Sequence, residues 1–274
     1  MARMGPPADA IYSGTADRLD RAVAATADVS RTAARALIAA GAVFLNGRRC
    51  KVSSRTVRPG DRLRVAGAAP PAAPPALSVL FDAHGVVAID KPAGMPSAPT
   101  RQAATGTALA ELAAQRKGAG EGLWLVHRLD AAASGVLLFA TTRATAAALS
   151  AAFQDRRVRK TYLALVEGAP TADAGVIEQP LTARAGRARI DPRGRPARTA
   201  WRVVERRGAR TLLAVEPETG RLHQIRAHLA ALGHPIVGDR LYGGPPAERL
   251  MLHALAIAVP LEGGDVTVTA PWAG

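Results

Sequence analysis

The stretch WLVHRLDAAASGVLLFA, residues Trp124 to Ala140, places three ionisable side chains among apolar residues. His127, Arg128 and Asp130 fall between a short apolar run and the strand-like segment SGVLLFA. An unpartnered charge that leaves water is strongly unfavourable, so a buried turn that carries an aspartate must supply a partner for it. The stretch therefore predicts that another part of the chain meets Asp130.

The composition is that of a globular chain. With 274 residues and 48% hydrophobic residues, it can form one large domain or two smaller ones. The single Cys50 excludes an intramolecular disulfide and a multi-cysteine metal site, and it fits a reducing compartment. The first twenty residues mix acidic and basic groups, and no long, strongly apolar run follows. We therefore expect a cytoplasmic protein with no membrane segment.

The charge of the chain points to a partner rich in phosphate. Lysine and arginine number 36 against 22 aspartates and glutamates, a net charge of +14 carried mostly by arginine. Residues 1–66 hold 12 basic and 5 acidic groups, so a quarter of the chain carries half of the excess. The alternative is that an arginine-rich coding composition makes the protein basic without a nucleic-acid partner.

The segment GAAPPAAPPA, residues 67–76, divides the chain because it is proline-dense and uncharged. Before it, residues 12–66 read as a small domain. SRTAARALIAAG predicts a helix with Ser30 as its N-cap, and Asn46-Gly47 predicts a hairpin turn between two strand-like runs. A PGD turn then leads into a closing strand.

The order of features from the RLD opening to the PGD turn resembles the S-four RNA-binding domain. The matching parts are an arginine-bearing helix, a GAVFLNG turn and a final RLRV strand. For any single basic residue of this region, an ordinary solvated surface remains the alternative. By position, the resemblance implies RNA contacts for Arg31, Arg35, Arg48, Arg49 and Lys51.

The region from residue 77 to 274 is dominated by strand patterns with helices inserted between them. LSVLFDA and VVAID predict strands, as do GLWLVHRLD, SGVLLFATT and RKTYLALVEG, whereas ATAAALSAAF predicts a helix. An arginine-rich loop, residues 184–198, suits an exposed hairpin that contacts phosphates, with an ordinary soluble turn as the alternative.

A helix is predicted from His223 to Leu232, with Gly233 closing it. His223 and Arg226 are three residues apart and share one face of such a helix. His223 and His228 are five apart, which is poor spacing for two ligands of one metal. We therefore expect no metal site in this histidine cluster.

VHRLDAAASGVLLFA, RKTYLALVEG, GRPARTAW, TGRLHQIRAHLAALGHPIVGDRLYGG and MLHALAIAVPL together resemble the RluA/RluC/RluD family of pseudouridine synthases. The similarity extends from about Leu77 to the C-terminus. It implies an α+β catalytic domain at 77–274, with a long, mostly antiparallel or mixed β-sheet and flanking helices. It also implies an isomerase of uridine in RNA that works as a monomer without a cofactor.

The resemblance further implies three catalytic residues. Asp130 is the nucleophile, and Arg226 is its partner, which keeps the carboxylate ionised and oriented. Tyr162 occupies the tyrosine of the K-x-Y motif, where its ring can stack on the target uracil and its hydroxyl could assist proton removal. A strand aromatic of the core is the alternative for Tyr162.

Substrate contacts are implied for three further residues. Arg128 resembles the residue that fills the gap left by a flipped base, with a structural or phosphate contact as the alternative. His127 and His223 are expected to bond to the backbone and orient their loops. One departure stands in the HRLD loop, where the family commonly has a charged residue and a threonine and this chain has Ala131–Ala133. We expect fewer side-chain hydrogen bonds in this loop.

Large-subunit (23S) ribosomal RNA is the expected substrate, because the first domain resembles that of the ribosomal branch of the family. Transfer RNA is the alternative substrate. A second function class, a non-catalytic RNA-binding or ribosome-assembly factor, is compatible with the basic first domain and with the alanine run. A hydrolase that uses His127 and Asp130 is less favoured, because no serine or cysteine nucleophile motif accompanies them.

Overall fold

The protein is described by a computed structural model that covers residues 8–66, 76–99, 106–116, 122–261 and 264–272. The chain separates into two compact units, divided between Pro75 and Ala76. The predicted linker at 67–76 lies outside the described residues except for Ala76, so the linker and the domain limits drawn from it stay predictions. No helix in the described ranges is long and apolar enough to cross a membrane.

The first unit combines two helices with a four-stranded sheet ordered β1-β6-β3-β4 and a separate β2-β5 pair. All of its strand pairs are antiparallel. Its elements are β1 (Ala8–Ile11), β2 (Asp17–Arg18), α1 (Leu19–Thr26), α2 (Arg31–Ala39), β3 (Val43–Leu45), β4 (Arg48–Arg49), β5 (Thr56–Val57) and β6 (Arg62–Val65).

Two local predictions for this unit are confirmed. The side chain of Ser30 accepts a hydrogen bond from the Ala33 amide, as an N-cap does, and α2 begins at the next residue. Asn46 and Gly47 have φ angles of 51° and 77°, the left-handed values that a tight two-residue hairpin turn requires. The helices pack on one side of the sheet around fully buried residues such as Leu63.

The second unit is built on a ten-stranded sheet. Eight strands follow the order β12-β15-β16-β11-β17-β10-β8-β7, with β18 paired to β17 and β9 paired to β10, and β13 and β14 form a separate hairpin. Its elements are β7 (Ser78–Ala83), β8 (Val86–Lys91), α3 (Ala108–Gln115), β9 (Trp124–Leu125), β10 (Ser134–Ala140), α4 (Arg143–Gln154), β11 (Arg159–Glu167), β12 (Ala174–Ile177), β13 (Leu181–Arg184), β14 (Arg187–Ile190), β15 (Thr199–Arg207), β16 (Arg210–Pro217), α5 (Gln224–Ala231), β17 (Leu252–Leu261) and β18 (Gly264–Thr269).

The α+β prediction with a mostly antiparallel, mixed sheet is confirmed. The pairing of β10 with β17 is parallel, and the other pairings in the sheet are antiparallel. All seven residues of β10 are buried, as its apolar sequence predicts. Gly135 is required where β10 meets β17, because a Cβ there would stand 2.2 Å from the carbonyl oxygen of Ala254 and its φ is +109°.

The strand prediction for GLWLVHRLD is wrong beyond Leu125, where β9 ends. The chain then leaves the sheet, because side chains take over the backbone hydrogen bonds of this segment. The hydroxyl of Ser97 accepts from the Leu129 amide at 3.0 Å and donates to the Leu129 carbonyl at 2.9 Å. The ring Nε2 of His127 accepts from the Leu138 amide at 3.0 Å. Asp130 consequently lies on a loop held by the sheet.

The helix predicted from His223 begins one residue later, at Gln224. His223 precedes it with a left-handed φ of 49°, which ends the approaching loop and cannot continue a helix. Leu232 is the C-cap and Gly233 follows with a φ of 88°, as the sequence predicts for the end of the helix.

Candidate active site

Asp130 lies in a pocket of about 770 Å³ in the second unit, hereafter the Asp130 pocket. This volume is in the range of small-ligand sites in proteins. The walls come from the loop after β9, the end of α4, strand β11, the loop before α5, the start of α5, and β17. Six of the sequence-predicted residues line it: His127, Arg128, Asp130, Tyr162, His223 and Arg226.

Asp130 is met by Arg226, as the sequence predicts. Nη1 of Arg226 donates to Oδ2 of Asp130 at 3.2 Å, and the Asp130 side chain is 23% exposed. The other edge of the guanidinium is bound by Asp239, with Nε to Oδ2 at 2.7 Å and Nη2 to Oδ1 at 2.8 Å. Burial opposes the charge of Arg226, but Asp239 and then Asp130 raise its pKa. Arg226 is therefore a fixed cation beside a reachable carboxylate.

Asp239 is fully buried and ties this pair to the backbone. Its Oδ1 also accepts from the amides of Leu241 and Tyr242, at 3.2 and 3.3 Å. The two-pronged bond to Arg226 fixes the plane of the guanidinium, which a single contact would not do. The position of the cation beside Asp130 thus depends on Asp239.

His223 faces the same carboxylate from the other side. Its Nε2 lies 3.8 Å from Oδ2 of Asp130, and its Nδ1 lies 3.2 Å from the hydroxyl of Tyr242. It bonds to this hydroxyl and not to the backbone group that the sequence predicts. Burial lowers the pKa of His223, the charge of Asp130 opposes that shift, and Arg226 adds to it. The imidazole of His223 is therefore neutral at pH 7.

Tyr242 connects this group to the β13-β14 hairpin. Its hydroxyl accepts from the Ala188 amide at 2.9 Å and lies 3.1 Å from the Ala188 carbonyl. The guanidinium carbons of Arg187 and Arg226 lie 5.0 and 5.2 Å from the centroid of its ring. The hairpin that carries the predicted basic loop is therefore in contact with the residues around Asp130.

Tyr162 lies on β11 and forms another wall of the pocket. Its side chain packs partly against two apolar clusters of the second unit, which include Val215 and Leu129. Burial, and then the negative charge of Asp130, raises the pKa of Tyr162 well above its usual value. The phenol therefore keeps its proton at neutral pH, and an apolar ring face is available to a planar ligand.

His127 and Arg128 take different positions in the pocket wall. The His127 ring stacks on Phe153 with 5.0 Å between centroids. Burial, and to a smaller extent the charge of Lys160, lowers its pKa from 6.5 to about 3, so the imidazole is neutral and accepts from the Leu138 amide. The side chain of Arg128 is exposed at the pocket.

The alanine-rich turn after Asp130 is held through its carbonyls by Lys91. This side chain is fully buried, and its ammonium donates to the carbonyl oxygens of Ala131 at 3.3 Å and Ala133 at 2.5 Å, and to those of two residues in the loop after β8. The Gly94 amide also donates to the Ala131 carbonyl, at 2.7 Å. Charged hydrogen bonds of this kind contribute about 1.5–3 kcal/mol each. The turn is thus held through its backbone carbonyls, where the family commonly has polar side chains.

The first unit places its sequence-predicted residues on two surfaces. Arg31 and Arg35 lie on α2 and donate to the buried carboxylate of Asp20, at 3.2 and 2.8 Å. Arg18 donates to the same carboxylate at 3.1 Å. All three guanidiniums remain about half exposed.

The other three predicted residues, Arg48, Arg49 and Lys51, are exposed on or just after β4. They therefore lie beside the Asn46-Gly47 turn, as the sequence predicts. The structure does not bring them to the carboxylate that binds Arg31 and Arg35.

Sequence reasoning missed Asp239, Lys91 and Ser97. A signal existed for the first two, since GDRLYGG contains an acidic residue between glycine turns and VVAIDKP places a lysine at the end of an apolar strand. Neither pattern names its partner. Within the described residues, no group of three or more histidine, cysteine, aspartate or glutamate side chains is arranged to hold a metal ion.

Comparison with known proteins identifies the family. A family model described as RNA pseudouridylate synthase matches residues 85–231, more than half of the chain. The chain belongs to this family. A second model, the S4 domain, matches residues 17–63 of the synthase. The S-four resemblance and the catalytic resemblance are thereby both confirmed, and the synthase is an isomerase that acts on RNA.

Similar proteins agree with this assignment. An uncharacterized RNA pseudouridine synthase of Mycobacterium bovis is 37% identical over 93% of the synthase and 90% of its own length. The dual-specificity RNA pseudouridine synthase RluA of Escherichia coli K12 is 36% identical over 72% of the synthase and 94% of its own length. The solved structure of human RNA pseudouridylate synthase domain containing 1 has a TM-score of 0.63 and 27% identity, covering 74% of the synthase and 86% of that chain. The synthase is therefore of the RluA type.

Proposed function

We propose that this pseudouridine synthase isomerises specific uridines of large-subunit (23S) ribosomal RNA, with Asp130 as its nucleophile. The observation that carries the proposal is the position of Asp130. It is a reachable carboxylate in the Asp130 pocket, and it lies against a buried guanidinium that Asp239 holds in place.

The reaction breaks the bond from uracil N1 to ribose C1′ and forms a bond from uracil C5 to C1′. A proton leaves C5 and N1 gains one, so composition is unchanged. Asp130 supplies the electron pair that meets the electron-poor centre. Attack on C1′, attack on the base, and elimination to a glycal all require this carboxylate to be ionised and oriented. Arg226 meets both requirements in each route.

Tyr162 and Arg128 handle the base in this proposal. Tyr162 stacks on the uracil and holds it while it turns. It is not the proton acceptor, because a phenol with a strongly raised pKa keeps its proton at neutral pH. Arg128, exposed at the pocket, enters the space that the flipped nucleotide leaves in the RNA. His127 and His223 position the loops on either side of Asp130.

The choice of ribosomal RNA rests on the S4 domain and on the basic charge of residues 1–66. We further propose that the synthase acts as a cytoplasmic monomer, in keeping with its single cysteine. Transfer RNA is the second candidate substrate, and the dual specificity in the name of the RluA relative favours testing both.

The test is a map of pseudouridines by carbodiimide labelling and primer extension. Ribosomal and transfer RNA would be compared among wild type, a deletion strain and an Asp130→Ala strain. We expect defined sites in 23S RNA to disappear in both mutants and to return with wild type. Sites lost only from transfer RNA would move the substrate to the second candidate, and sites that persist in the deletion would contradict the proposal.

A further inference from the structure

An aromatic side chain lies on the side of the first unit's sheet that faces away from the helices. Phe44 is the middle residue of β3, between Val43 and Leu45, and both neighbours are buried in the core. Because successive side chains of a strand point to opposite faces, the Phe44 ring points to the outer face. It is partly exposed and does not belong to the buried core of the described first unit.

Two arginines flank this ring on the neighbouring strands. Phe44 is the direct cross-strand partner of Arg49 on β4 and of Arg64 on β6. Their guanidinium carbons lie 5.4 and 4.4 Å from the ring centroid, within the range of cation–π contact. Both arginines are exposed. The result is a row of one aromatic ring between two planar cations, hereafter the Phe44 row.

The arginines of the Phe44 row have no carboxylate at ion-pair distance among the described residues. In the described part of the chain, no ion pair is found for Arg49, Arg64 or the neighbouring Lys51. Asp9 binds Arg62, with Nε to Oδ1 at 3.0 Å, and is the cross-strand neighbour of Arg64. The hydrogen bond from Arg62, and to a smaller extent the charge of Arg64, lowers the pKa of Asp9. The row is therefore a cationic surface with an apolar ring at its centre.

The helix side of the unit has the opposite arrangement. There, Arg18, Arg31 and Arg35 share the buried carboxylate of Asp20, which reduces the net charge that they offer a ligand. The sequence predicts contacts through Arg31 and Arg35, but the arginines of the Phe44 row are less neutralised, because the acidic neighbour of Arg64, Asp9, forms its ion pair with Arg62.

We infer that the Phe44 row binds an unpaired RNA base, which replaces a guanidinium on one face of the Phe44 ring and stacks there, while Arg49 and Arg64 contact the phosphates on either side. Proteins that bind single-stranded RNA combine an aromatic platform with a basic track in this way. A paired duplex keeps its bases stacked inside and offers phosphates only, so the ring specifies an unpaired base. The inference rests on the proposed function only in taking RNA as the partner.

The experiment compares two fluorescently labelled RNAs by anisotropy with the full-length protein. One is a stem-loop with a single-stranded loop, and the other is a fully paired duplex with the same number of phosphates. Phe44→Leu keeps an apolar side chain without the aromatic face, and Phe44→Trp keeps the face. Val52→Ala is the matched control, because Val52 is an exposed apolar residue of the same unit. Thermal unfolding of each variant checks the fold.

We expect Phe44→Leu to bind the stem-loop about tenfold more weakly and the duplex as wild type does, with Phe44→Trp restoring stem-loop binding. Arg64→Gln should weaken both RNAs and lower the slope of log affinity against log salt by about one phosphate contact. Equal affinities of Phe44→Leu and wild type for the stem-loop would overturn the inference. So would equal weakening on both RNAs, whether through a lost fold or through lost charge contacts.

The two proposals fail separately. Wild type that binds both RNAs but forms no pseudouridine contradicts the catalytic proposal and leaves the stacking result intact. Wild type that forms pseudouridine, together with Phe44→Leu that binds the stem-loop normally, overturns the Phe44 row alone.

Discussion

Asp20 in the first unit and Asp130 in the second are both paired with arginine, and the two sites differ in how much of the carboxylate remains exposed. Asp20 has no exposed side-chain surface and is shared by three guanidiniums. Asp130 is 23% exposed and is contacted by one guanidinium, that of Arg226, whose other edge Asp239 occupies. Asp20 holds three arginines in place, whereas at the second site Arg226 holds the Asp130 carboxylate in place.

The difference shows why an Asp-Arg pair alone does not identify a catalytic group. Both aspartates follow an RL dipeptide in the sequence, RLD at Asp20 and HRLD at Asp130. Of the two, Asp130 opens into a pocket and its arginine is fixed by a second carboxylate, whereas the Asp20 side chain is fully buried. A catalytic carboxylate is best served by an arginine that a second carboxylate already holds in place, because such an arginine orients the catalytic group without covering it.

Among the residues that hold Asp130 in place, Arg226→Lys is expected to cause the greatest loss. Lysine keeps the charge, but its single ammonium cannot bind Asp239 at two points and reach Asp130 as well. We expect single-turnover pseudouridine formation to fall about 10²- to 10³-fold. Filter binding should show RNA affinity within about threefold of wild type. An Arg226→Lys enzyme that works at the wild-type rate would remove the distinction between the two sites.

Asp239→Asn tests whether the second carboxylate positions Arg226. An amide keeps one acceptor oxygen but loses the charge and the symmetric two-point bond. A fall of about 10²-fold in the single-turnover rate is expected, since small displacements of a catalytic group cost that much. The pH–rate profile should also change, because the cation no longer has a fixed place beside Asp130. An unchanged rate and profile would show that Asp130 alone holds Arg226.

Asp20→Asn should affect stability and leave the rate of the chemical step unchanged. We expect unfolding by urea to show a loss of about 1–3 kcal/mol, discounted because the three guanidiniums are half exposed. Asp17→Asn is the control, because Asp17 forms a more exposed pair with Arg21. A variant that folds normally but makes no pseudouridine would contradict the structural role given to Asp20.

The pH dependence of the same variant has a defined sign. Burial opposes ionisation of Asp20, but hydrogen bonds from Arg18, Arg35 and Arg31 outweigh it and lower the carboxyl pKa below its usual 3.8. The stabilisation is present above about pH 4 and is lost as pH falls through the folded-state value. The free energies of unfolding of wild type and Asp20→Asn should therefore differ less near pH 2 than at pH 7, as urea unfolding at each pH would measure.

The smallest effect is expected for Tyr242→Phe. The change keeps the ring beside Arg187 and Arg226 and removes the hydroxyl that contacts His223 and Ala188. A few-fold loss in rate is expected, of the size of one or two neutral hydrogen bonds. Kinetics on the RNA that the map identifies would measure it. A loss as large as that of Asp239→Asn would make the hairpin contact part of the catalytic arrangement.

The sequence predicted much of the fold because the patterns were local. The apolar β10, the Asn46-Gly47 turn and the Ser30 cap depend on adjacent residues, and all three predictions are confirmed. The helix α3, Ala108–Gln115, was not predicted, because its short alanine-rich run lacks strong periodicity. Strand β9 is shorter than predicted because side-chain hydrogen bonds take the place of strand pairing after Leu125, and strand propensities do not describe such bonds.

The residues of the site that belong to family motifs were predicted, whereas contacts between distant segments outside those motifs were missed. The Asp130–Arg226 pair spans 96 residues and was found from the family resemblance. The bonds of Lys91 to Ala131 and Ala133, about 40 residues away, have no local pattern that names both partners. The resemblance to the S-four domain implied RNA contacts for Arg31 and Arg35, but their shared carboxylate appears only when α1 packs against α2.

The most direct test of this account compares purified Asp130→Asn, Asp20→Asn and wild type on one RNA containing tritium at uridine C5. Tritium release under single-turnover conditions reports the reaction, and filter binding reports affinity. We predict that Asp130→Asn binds RNA as wild type does but releases no tritium, whereas folded Asp20→Asn releases it at the wild-type rate. Release by Asp130→Asn at the wild-type rate would contradict the assignment of Asp130 as the nucleophile.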